Sequence, residues 1–143
     1  MSIVACLLAV SLLAADPVDA DYVLRGGEIY DGGEGPAFVG DVAIKGDRIV
    51  AVQKGKLEVR AAAKEIHATG LIIAPGFIDL HSHSDEPILE AKTRLNANFL
   101  TQGCTSVVTG NCGFGPVDVA AYYRKLDEQG AGTNILHLIP HGS

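Results

Sequence analysis

His81 and His83 stand one residue apart in the stretch Pro75-Gly76-Phe77-Ile78-Asp79-Leu80-His81-Ser82-His83-Ser84-Asp85. Neutral imidazoles are metal ligands, and two on one side of a chain can hold one ion, with metal–nitrogen distances of about 2.0–2.1 Å for zinc. The pair therefore needs a shared face. The apolar run before it (Leu71, Ile72, Ile73, then Phe77, Ile78 and Leu80) has strand character. Side chains alternate along a strand, so residues two apart project from the same side. That alternation also carries Asp79 to the histidine face, where contact with the site and a structural hydrogen bond are both open to it. Asp85 follows as a supporting residue of the site or as plain loop. Taken alone, a His-x-His at a strand end is an ordinary polar feature, and its surroundings must decide.

Cys112 is the next candidate, in Gly110-Asn111-Cys112-Gly113-Phe114-Gly115. The three glycines let backbone pack closely around a ligand, and a thiolate favours zinc over magnesium or calcium. Asn111 could position Cys112 or a substrate. Cys104 reads as a small apolar core residue. A strand between Cys104 and Cys112 would hold them up to about 26 Å apart, whereas a disulfide needs Cα atoms within about 7 Å. They should not pair.

These residues need a scaffold, and from Gly76 onward the pattern is strand–helix–strand. Pro87 can open a helix, along which Ile88, Leu89, Leu95, Phe99 and Leu100 recur at roughly helical spacing up to Gly103. Thr105 to Thr109 is a β-branched strand. Asp118 to Gln129 reads as a helix with a cap at its start and Gly130 behind its end, and Asn134 to Ile139 as a third strand, with His137 inside it as a structural residue. Strands alternating with helices imply a parallel sheet. In a barrel the strand ends would point one way, so His81, His83, Cys112 and His141 would share one rim.

Residues 21–74 read instead as short strands with turns. Asp41 to Lys45 and Arg48 to Val52 flank Gly46-Asp47, a hairpin signal, while Arg25-Gly26-Gly27 punctuates the first strand. His67 falls here, as a surface or edge histidine. Ahead of this region, Ile3 to Ala15 is almost unbroken apolar. It has the length of a signal-peptide core and is short for a membrane span. Residues 1–20 are expected to be a signal peptide, cut after Ala20 or at Ala14-Ala15, which implies a periplasmic or secreted protein. The missing basic n-region leaves a cytoplasmic location as the other reading. A net charge of −6 with 6% aromatic residues gives no basic surface for nucleic acid.

The segment from Ala74 to His83 resembles the metal-ligand signature of the amidohydrolase superfamily, hydrolases built on a (β/α)8 barrel. Ser106 to Gly115, with Val107-Val108-Thr109-Gly110-Asn111-Cys112-Gly113, resembles the D-aminoacylases, which are N-acyl-D-amino-acid deacylases. The resemblance implies an α/β fold: part of a small β-sandwich over 21–74, then the first strands of the barrel over 75–143. At 143 residues the chain is incomplete for a barrel of about 250. It further implies zinc-dependent hydrolysis of N-acyl-D-amino acids, with Cys112 holding the principal zinc and His81 and His83 a second, weaker site. The general base would lie beyond Ser143, so the fragment alone would be inactive. His141 would line the substrate pocket. The substrate would be a small molecule, with no nucleic acid and no stable membrane span. Two alternatives stand beside this reading: a cyclic-amide amidohydrolase of hydantoinase or dihydroorotase type, and a non-catalytic fragment or binding module.

Overall fold

The computed structural model describes residues 16–143. The chain divides between Ala74 and Pro75 into two compact units.

The first unit carries one mixed five-stranded sheet of β1 (Tyr22–Ile29), β2 (Phe38–Lys45), β3 (Arg48–Lys54), β4 (Lys64–His67) and β5 (Ile72–Ile73). The order is β3-β2-β1-β4, and β5 also pairs with β1. The β2–β3 hairpin closes with Lys45 opposite Arg48, so the Gly46-Asp47 turn is where the sequence puts it, with Gly46 at φ +57°. β4 and β5 both run parallel to β1. His67 is exposed on β4, at the sheet's edge. The glycines after Arg25 do not end β1; the strand runs through them with a register shift between Leu24 and Gly27. Gly26, at φ +68°, takes up the extra residue, as a bulge does.

The apolar run Ile3 to Ala15 lies outside the described residues. The residues after it are built into the first unit. Val18 bridges Val59, donates its N–H to the Glu58 carbonyl at 2.9 Å and accepts the Arg60 N–H at 2.9 Å. Ala20 is buried against Ala43 and Leu57, and Asp19 pairs with Lys45. Among the described residues the first unit holds this single sheet, one layer where a sandwich needs two.

The second unit is a parallel sheet ordered β6-β7-β8, made of β6 (Phe77–Asp79), β7 (Cys104–Thr109) and β8 (Asn134–His137). Helix α2 (Val119–Gln129) connects β7 to β8. Asp118 accepts the Ala121 N–H at 2.9 Å and so caps the start, while Gly130 ends it. Tyr122 and Leu126 lie four apart on one helix face and pack with Ile88 and the half-buried Leu89, Tyr123 and Ile135. Between β6 and β7 the expected long helix is broken. A 3-10 turn covers Pro87–Leu89, and the short helix α1 (Ala97–Leu100) follows. The chain is extended at Glu90 (ψ 134°) and turns through residues 91–95, and the break ends at Asn96, which is buried, left-handed (φ +50°) and bonded through Nδ2 to Thr133 Oγ1 at 3.0 Å. That long-range bond outweighs the helical spacing. No helix among the described residues is long and apolar enough to cross a membrane.

Candidate metal centre

The histidines lie just past the strand that was expected to contain them, because β6 ends at Asp79. The alternation nevertheless continues. Ser82 donates its N–H to the Val108 carbonyl at 2.9 Å, and its hydroxyl meets that of Ser84 at 2.7 Å. Both serines are buried, so His81 and His83 project together into the open. Their ring centroids are 5.4 Å apart, edge to face. Asp79 accepts the His81 backbone N–H at 2.9 Å. Its carboxylate is thereby engaged in fixing the turn that follows the strand.

Cys112 arrives from the end of β7 on a different kind of backbone. It adopts φ +57°, ψ 15°, a left-handed conformation that is uncommon outside glycine. Gly110 precedes it at φ +78°, and a Cβ there would collide with the Leu138 carbonyl. The turn brings Cys112 Sγ to 3.3 Å from His81 Nε2. One donor atom from each of His81, His83 and Cys112 lies within 4.8 Å of the others, and all three residues are exposed. Two ligands on one tetrahedral zinc would sit about 3.6 Å apart, given Zn–S near 2.3 Å and Zn–N near 2.0–2.1 Å. The donor set and its spacing fit zinc. Cys112 and Cys104 are both free, and Cys104 is half-buried.

Asn111 braces the two arms of this cluster. Its Nδ2 donates to the Val108 carbonyl at 2.8 Å and to the Ser82 carbonyl at 3.3 Å, the latter between the two histidines. Asp85 is buried and accepts the Gly110 N–H at 3.3 Å. His141 is exposed and is not one of the three converging residues. Its neighbour Gly142 packs on Gly113, and Ser143 Oγ donates to the Gly113 carbonyl at 3.1 Å. Behind the loop, burial pushes the Tyr122 phenol up to about 12, so this tyrosine stays neutral and serves as packing. His137, expected only as a strand residue, bonds through both ring nitrogens beside the cysteine loop. The signal for that role is its register opposite Thr109, which exists only once β7 and β8 are paired.

No family model matches the chain. Over 154 aligned residues it is 36% identical to an N-acyl-D-aspartate deacylase of Alcaligenes xylosoxydans xylosoxydans, covering 92% of this chain and 30% of that protein. A crystal structure of D-aminoacylase, described as defining a novel subset of amidohydrolases, superposes with a TM-score of 0.74 at 32% identity, over 85% of this chain and 30% of that one. An N-acyl-D-glutamate deacylase from Bordetella bronchiseptica, complexed with zinc and a phosphonate inhibitor, gives 0.76 at 32% identity, over 87% and 30%. The fold is similar to that of these amidohydrolases. The chain is similar to deacylases of the D-aminoacylase kind, and it spans about 30% of the length of these relatives.

Proposed function

We propose that the full-length protein is a zinc-dependent deacylase that hydrolyses the amide bond of N-acyl-D-amino acids, giving a carboxylate and a free D-amino acid. The observation that carries this reading is the convergence of His81, His83 and Cys112 within 4.8 Å, beyond the ends of two adjacent parallel strands. In this reading Cys112 binds the principal zinc as a thiolate, and His81 and His83 form a weaker second site as neutral imidazoles. When bound, zinc supplies Lewis-acid polarisation of the amide carbonyl and a nucleophilic water at neutral pH. The chain's own share is to hold three donors on one open rim, with Asn111 fixing the distance between the arms. The remaining ligands and the general base belong to sequence beyond Ser143, as does the choice of acyl group and side chain.

The scaffold reading follows the same line. Strands β6, β7 and β8 are the opening of a (β/α)8 barrel. Its outer strands carry Ile78 at 60% and Leu136 at 50% exposure, apolar surface that further strands would cover. The apolar run Ile3 to Ala15 supports export. Because Val18 and Ala20 are built into the first unit, the cut that suits the fold lies before Asp16, and mass spectrometry of the mature N-terminus would locate it.

The activity test uses the full-length protein with N-acetyl-D- and N-acetyl-L-amino acids and with cyclic imides, before and after zinc removal by a chelator. Cleavage of the D-series alone, lost on chelation and restored by zinc, is the expected result. Turnover of cyclic imides instead would move the protein to the hydantoinase class, and no hydrolysis with no bound metal would leave a binding module.

A further inference from the structure

Residues 110–116 deliver Cys112 on a loop with glycines at 110, 113 and 115. Glycine gives such a loop wide freedom, so something must hold it in the single conformation that presents the thiol. The side chain of His137, on the neighbouring strand β8, reaches both ends of this loop. Its Nδ1 lies 2.7 Å from the hydroxyl of Thr109, immediately before Gly110. Its Nε2 lies 2.8 Å from the carbonyl oxygen of Pro116 at the other end. A carbonyl can only accept, so Nε2 carries a proton, and with the proton there Nδ1 can accept from the Thr109 hydroxyl. One tautomer satisfies both ends.

The ring also fills the hollow side of the loop. Its Cε1 would stand 3.1 Å from a Cβ on Gly110 and 3.3 Å from one on Gly115. It packs against Tyr122 with centroids 4.6 Å apart, and its backbone N–H donates to Tyr123 Oη at 2.9 Å. Thr109 is fully buried and Asp85 nearly so.

The geometry points to His137 as a positioning residue for Cys112, a bridge across the two ends of the 110–116 loop that holds the thiol opposite His81 and His83. This inference rests on the metal-centre reading for its function but not for its structural content. Changing the residue that orients a ligand typically costs 10–100-fold in metal affinity.

The test uses the full-length protein and the variants His137→Leu, His137→Gln and Thr109→Val. Zinc affinity is measured by competition with a chelator, the cysteine–metal bond by the thiolate-to-cobalt absorption band, and loop order by amide hydrogen exchange in the metal-free protein. His137→Leu should weaken zinc binding about 10–100-fold, shift the cobalt band and speed exchange in residues 110–116 while α2 stays protected. His137→Gln restores an N–H near Pro116 and should recover most of the affinity; Thr109→Val should fall between the two. If His137→Leu fails to fold, Thr109→Val decides alone. Parental affinity and unchanged loop exchange in the folded variants would overturn the bridge. A parent that takes up no zinc would overturn the metal centre instead, and the exchange data would still judge the bridge.

Discussion

The two units each hold a cluster of polar side chains, and the clusters are built on opposite terms. In the first unit the half-buried Arg25 and the buried Asp41 are engaged by partners of the same unit. The guanidinium reaches Asp41 at 2.7 Å, the Leu57 carbonyl at 2.6 Å and Glu65 at 3.0 Å through Nε. Asp41 in turn accepts the Gly26 N–H at 2.8 Å and the Leu57 N–H at 2.9 Å. In the second unit His81, His83 and Cys112 are exposed, and a single 3.3 Å contact joins them. A cluster whose partners are all within the chain ties the chain together. One that leaves its donor atoms free and aimed at a common point is ready for something from outside.

The sharpest way to break this comparison is Cys112→Ser in the full-length protein. Activity should fall about 100-fold or more, since hydroxyl is a far poorer zinc ligand than thiolate, while urea denaturation of the metal-free protein shifts by less than about 0.5 kcal/mol, as for an exposed site. A large loss of stability would show the cysteine to be part of the scaffold. Asp41→Asn should do the reverse. It leaves Arg25 without its buried counter-charge and should cost about 3 kcal/mol of stability, read by the same denaturation, with zinc uptake by the second unit unaffected.

The pH dependence sharpens the same point. Burial alone would raise the Asp41 carboxyl, but the Leu57 N–H, the Arg25 guanidinium and the Gly26 N–H outweigh it and hold it below the usual carboxylate range. A folded value below the unfolded one of about 3.9 means that its stabilisation is fully present above pH 4. It is lost as pH falls through the folded value, and Asp41→Asn should flatten that part of an acid titration followed by circular dichroism. The smallest effect is expected from Asn111→Ala. Removing the brace between Ser82 and Val108 should cost about 1 kcal/mol and weaken zinc binding by about tenfold, measured by chelator competition.

What could be read in the sequence depended on how far apart the determining residues lie. The Gly46-Asp47 hairpin and the Asp118 cap are local, and both stand where local rules put them. The histidine pair was legible because alternation persists past the formal end of β6, with Ser82 turned inward between the rings. Nothing local marks Gly26-Gly27 as a bulge, because the extra residue makes sense only against β2. Asn96 interrupts a plausible helix through its bond to Thr133, thirty-seven positions on. His137 belongs with these. Its sequence neighbours are strand residues, and its partners come from the strand end and loop before it.

The left-handed backbone at Cys112 has a consequence for how this chain could change over generations. A non-glycine residue there carries a strain of about 1 kcal/mol or more, so Cys112→Gly should raise stability by about that amount while removing the thiol. Mutation at this codon thus has an easy downhill step that removes the proposed zinc ligand and makes the scaffold sturdier. A screen for thermal tolerance alone would select the form without the thiol, and one that also demands zinc binding would have to find its gains elsewhere in the chain.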